Sequence, residues 1–114
     1  MSTTPITSEP TTQPPLDQDG HLAQYSDWTP TVAQWLAEQY ALQLTDEHLQ
    51  VLMAMREFYQ RFDHAPATRP LIKFLMQRLG SEMTNAHLMA LFNTGLVARS
   101  LAKLAGLPKP ANCL

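Results

Sequence analysis

Only one of the 114 residues is a cysteine, none of the first 55 is Lys or Arg, and no apolar run approaches the roughly 18 residues that span a bilayer. Each shortage excludes something. A lone cysteine cannot close an internal disulfide. His21, His48, His64 and His87 stand at no metal-binding spacing such as HExxH, and one cysteine cannot make a CxxC, so neither a metal site nor a cofactor is expected. The first residues lack the basic and apolar regions of a secretory signal, so the expected compartment is the cytoplasm, with no membrane span.

The missing bases are balanced further on. Residues 1–55 hold seven acids and no Lys or Arg, while residues 56–114 hold eight bases and three acids, giving about −7 and +5 within an overall net charge of −2. The second half is therefore the candidate surface for an acidic partner. A merely solvated set of outer helix faces would look the same, and the density of bases is below that of a dedicated nucleic-acid-binding domain.

What the chain does have is proline at both ends and helical periodicity between them. Residues 2–15 contain four prolines and five threonines with almost no large apolar side chain. They cannot bury enough surface to offset their ordering entropy, so residues 1–15 are expected to be a disordered leader. Asp17-Gln18-Asp19-Gly20 is a turn sequence flanked by Leu16 and by His21-Leu22-Ala23, which predicts a short hairpin. Thr29-Pro30 then caps a helix over 30–41, and Thr45 caps a second, broadly apolar helix ending near Asp63 that is expected to be central. Thr68 caps a third through Leu79, Thr84 or Asn85 starts a fourth through Phe92, and a fifth covers 96–105. The predicted fold class is mainly α: a small domain of about five helices over 16–107, preceded by a hairpin. An extended, flexible arm follows over 108–114. Pro108-Lys109-Pro110 cannot continue a helix, and the step from Leu107 to Cys113 could span on the order of 19 Å in a polyproline-like conformation.

Cys113 is penultimate on that arm. An unpaired cysteine is commonly a buried small hydrophobe, but Pro-Lys-Pro-Ala-Asn-Cys-Leu has no apolar periodicity that would place it in a core. The residues alone leave open a reactive thiol, a fortuitous terminal cysteine and a buried one. A cysteine on a mobile arm cannot hold the rigid base and oxyanion geometry of a hydrolase, whereas it can visit two sites in turn, as a sulfur carrier must. Lys109 could favour the thiolate, and the terminal carboxylate opposes it. Trp28, Trp35 and the set Met53, Met55, Met76, Met83 and Met89 read as core or staple residues. Arg69 and Lys73 lie one turn apart on one helix face.

The run Ala105-Gly106-Leu107-Pro108-Lys109-Pro110 followed by the penultimate Cys113 resembles the C-terminal signature of the TusE/DsrC family. The likeness extends through Leu44 to His48, Arg56 to Tyr59, Pro66 with Arg69 and Lys73, Leu91-Phe92, and Asp17 to Leu22 with Trp28, covering residues 16–114. It implies a sulfurtransferase that carries persulfide sulfur on Cys113. The implied donor is a TusBCD-type complex, and the implied acceptor an MnmA-type thiouridylase with bound tRNA, in wobble 2-thiouridine synthesis. It also implies that two-cysteine, DsrC-like chemistry would need a second cysteine eleven residues before Cys113, where this chain has Ala102. Arg69, Lys73, Arg99, Lys103 and Lys109 are the expected partner-binding bases. Family members typically carry Pro after Leu-Phe and Gly-Pro before the last helix, whereas here the loop reads Asn93-Thr94-Gly95-Leu96-Val97. The alternative from another class is a helical interaction or regulatory module, DNA-binding modules included, in which Cys113 plays no chemical part.

Overall fold

The structure is a computed structural model, and residues 13–110 are described; residues 1–12 and 111–114 lie outside them, and with these most of the expected leader and Cys113 itself. Five α-helices follow one another: α1 Pro30–Ala37, α2 Asp46–Phe62, α3 Thr68–Leu79, α4 Asn85–Phe92 and α5 Val97–Leu104. Single 3₁₀ turns cover Tyr25–Asp27 and Glu38–Tyr40. None of these helices is long and apolar enough to cross a membrane.

Local chemistry accounts for most boundaries. Thr29 accepts a hydrogen bond from Val32 N with Pro30 in the first turn, and Thr84 does the same for His87 N. Thr45 caps α2 through an unusual box: its N–H donates to His48 Nδ1 at 2.9 Å, so an imidazole takes the place usually held by Glu or Gln. His48 is buried, and its Nε2–H donates to Leu91 O at 2.7 Å, tying the start of α2 to the end of α4. Thr68 is the first residue of α3 rather than its cap; Ala67 occupies that position without a side-chain bond. The first helix turns into the 3₁₀ segment after Ala37 instead of continuing to 41, where Ala41 is left-handed.

Among the described residues no strand forms. The expected hairpin contracts to one antiparallel bridge between Leu16 and Leu22, with Asp17 Oδ1 accepting from Asp19 N and His21 N across the turn. The 93–97 loop closes through its own side chains. Asn93 ends α4 in the left-handed conformation and donates to Tyr40 O at 3.3 Å, while Thr94 Oγ1 meets Ser100 Oγ and accepts from Leu96 N. Asn tolerates that conformation better than most residues, so α4 ends capped.

The central element is α5, not α2. It packs against all four other α-helices, whereas α2 packs mainly on α3 and α5. Its eight residues include Val97, Ala98, Ser100, Leu101, Ala102 and Leu104, all buried. The small side chains at 98, 100 and 102 let neighbouring backbones approach closely, and Leu101 and Leu104 fill the space between them. Trp35 is part-buried against this core and lines an open groove of about 820 Å³ with Val32, Leu44 and Leu49.

Candidate functional site

A helix leaves its last carbonyls without intrahelical donors. At the end of α5 the last of these carbonyls, and those of the turn that leads to the arm, are met by side chains from distant parts of the chain. Trp28 Nε1 donates to Leu104 O at 2.7 Å, Arg56 Nη1 to Ala105 O at 2.9 Å, and His21 Nδ1 to Leu107 O at 2.8 Å. A carbonyl only accepts, so His21 carries its proton on Nδ1. Leu107 N folds back to Ala102 O at 2.9 Å, and Leu107 is fully buried. Gly106 makes this turn with φ of +76°, and a Cβ placed there would lie 2.7 Å from Trp28 Cδ1 and 3.0 Å from Leu22 Cδ1.

Arg56 is the hub of this anchor. Its guanidinium lies 3.8 Å from the Tyr25 ring centroid and 4.6 Å from that of Trp28, and Nη2 donates to Tyr25 O at 3.2 Å. Burial lowers its pKa from the ordinary value, an effect that the electrostatic influence of Tyr25 partly offsets. A guanidinium remains charged under such conditions, and this one faces the negative end of the α5 dipole.

The arm starts seated on the domain. Lys109 Nζ lies 3.6 Å from Asp19 Oδ2, and Pro110 is buried. With both partners nearly half exposed, the pair is worth at most about 1 kcal/mol. Lys103 reaches the same turn, since a Cβ on Gly20 would sit 3.4 Å from its Nζ.

The expected site residues therefore separate. Cys113 lies outside the described residues. Lys103 and Lys109 flank the Asp17–Gly20 turn at the arm base, and Arg99 is half-buried on α5. Arg69 and Lys73 lie exposed on α3, where no hydrogen bond or ion pair among the described residues engages them. Three contributors to the anchor were not expected as site residues: Arg56, His21 and Trp28, the last read only as core or staple. Arg56 did carry a signal, because it falls between Leu52 and Tyr59 on the apolar stripe of α2, where a charge must find partners. Ala102 is fully buried in α5.

The family profile described as "DsrC like protein" matches residues 10–114. The chain is 40% identical over 99 residues to a sulfurtransferase TusE homolog of Haemophilus influenzae, covering 86% of this chain and 90% of that protein. It is 37% identical over 99 residues to sulfurtransferase TusE of Escherichia coli, with the same shares covered. Among solved structures, DsrC of Allochromatium vinosum superposes with a TM-score of 0.77 at 38% identity, covering 87% of this chain and 88% of that one.

Proposed function

The chain belongs to the DsrC-like family and is a sulfurtransferase of the sulfur-relay type; from that premise we propose that Cys113 is the sulfur carrier and that the arm beyond residue 107 moves it between donor and acceptor. The observation that carries this reading is that the chain's only thiol stands three residues after Pro110, the last residue of the Ala105-to-Pro110 motif, while Ala102 supplies no second thiol. In the loading step the Cys113 thiolate attacks the outer sulfur of a donor persulfide. A new S–S bond forms, the donor's S–S bond breaks, and the donor leaves as its thiolate with the electron pair. Unloading repeats the exchange, with an acceptor thiolate attacking the outer sulfur and Cys113 leaving, so no external oxidant or reductant is consumed.

A TusBCD-type complex suits the donor role. An MnmA-type thiouridylase with bound tRNA suits the acceptor role, in 2-thiouridine synthesis at the wobble position. Intact-mass measurement after mixing the protein with a persulfidated donor tests the core of this reading: one added sulfur, about 32 Da, is expected on the arm. An unchanged mass with every persulfide donor would refute it.

Arg69 and Lys73, which no hydrogen bond or ion pair among the described residues engages, are assigned together with Arg99 and Lys103 to the acceptor side, and Lys109 to guiding the arm. An acceptor carrying tRNA presents a strongly negative surface, which exposed bases attract over a range set by ionic strength. Changing Arg69 and Lys73 to Glu is expected to weaken acceptor capture about tenfold at low salt and to flatten its salt dependence, with persulfide loading retained. Loss of loading with acceptor binding intact would move this face to the donor.

A further inference from the structure

The geometry at the arm base points to a role for Arg56 beyond holding the fold together. The carbonyls of Leu104 and Leu107 are each met by a ring N–H, from Trp28 and His21. Between them Ala105 O is met by a charged, part-buried fork that binds a second carbonyl, Tyr25 O, and lies against two aromatic rings. Burying a cation is costly where a neutral donor or water would satisfy one carbonyl. What a planar guanidinium adds is direction, because two N–H bonds and two stacked faces leave it little rotational freedom.

That direction matters because Ala105 stands immediately before the left-handed turn at Gly106, eight residues ahead of Cys113. From that turn the chain runs seated on the domain as far as the buried Pro110, so a shift at Ala105 is carried to the point from which Cys113 is reached, and misplacements near 1 Å already slow oriented reactions about 100-fold.

We propose that Arg56 is a positioning residue for sulfur transfer, setting the line along which the arm leaves the domain so that a persulfide on Cys113 meets a protein acceptor's thiolate in register. The inference rests on Cys113 being the carrier.

The test uses the full chain loaded with inorganic polysulfide, then compares single-turnover sulfur release to dithiothreitol with transfer to the tRNA-bound thiouridylase, for wild type, Arg56→Met and Arg56→Lys. Dithiothreitol reaches the thiol from any direction, so its rate is expected to stay within about twofold of wild type. Transfer to the protein acceptor is expected to fall about tenfold or more at saturating acceptor, with the half-saturating concentration little changed. Arg56→Lys keeps the charge but loses the planar fork, so it is expected to restore little of that rate. It also serves as the informative variant if Arg56→Met does not fold.

Equal loss in both reactions, full recovery in Arg56→Lys, or unimpaired protein transfer in the variants would each overturn the positioning role. If wild type acquires no sulfur on Cys113, the carrier reading itself fails, and the positioning role with it; wild-type loading therefore separates the two failures.

Discussion

Cys113→Ser is expected to abolish sulfur uptake and every downstream transfer, a loss of at least about 1,000-fold limited by assay background. A free thiol titrates near 8.5, so a few per cent is thiolate at neutral pH, whereas a serine hydroxyl is essentially never ionised and cannot displace a persulfide. No other group can substitute, because the remaining sulfur atoms belong to six methionines whose thioethers bear no exchangeable proton. Mass spectrometry before and after exposure to a persulfide donor reads the result directly. One sulfur retained on the serine variant after denaturation would place covalent uptake elsewhere in the chain. The variant is also expected to compete with wild type for the donor, since substituting one side-chain atom leaves any docking surface intact.

Gly106→Ala is expected to be the most damaging small substitution for stability, costing about 3 kcal/mol. Two terms contribute. A left-handed conformation costs a non-glycine residue about 1–2 kcal/mol, and the φ of +76° at Gly106 lies in that region. Overpacking adds about 1–3 kcal/mol, because the new methyl would stand 2.7 Å from Trp28 Cδ1, 2.9 Å from Trp28 Cβ and 3.0 Å from Leu22 Cδ1. None of these atoms is the free end of a flexible chain except Leu22 Cδ1, so Trp28 would have to shift and strain its bond to Leu104 O. A fall in Tm of about 10 °C or more is the expected readout. Gly95→Ala is the internal control: it is a loop glycine outside the left-handed region, with open space around its Cβ position, and should leave Tm unchanged or slightly raised. A Gly106→Ala variant as stable as wild type would mean that the 105–107 turn does not pack on Trp28 in solution.

Short-range chemistry made much of the fold readable in the sequence. The caps at Thr29, Thr45 and Thr84, the stop at Gly80 and the apolar spacing within each helix involve residues at most a few positions apart, so α2, α3 and α4 begin and end within a residue of their expected positions. The hairpin was less legible, because pairing beyond one bridge requires partners that the seven-residue segment from Leu16 to Leu22 does not contain. The central place of α5 was also hidden. A helix of eight residues with three small side chains looks minor by its own apolar content, and its importance comes from neighbours packing on every side.

The chemistry divides in the same way. That the one thiol follows the Pro108-Lys109-Pro110 segment, with no second cysteine at Ala102, is read from the linear order of residues, and it alone limits the exchange reactions open to the chain. How that end is held was decided by tertiary structure. Arg56, Trp28 and His21 reach carbonyls 49, 76 and 86 residues away in the chain. A side-chain donor and a backbone acceptor carry no sequence mark of their pairing; only the packing of the N-terminal turn and α2 around the end of α5 brings them within bonding distance and makes a part-buried guanidinium tolerable there.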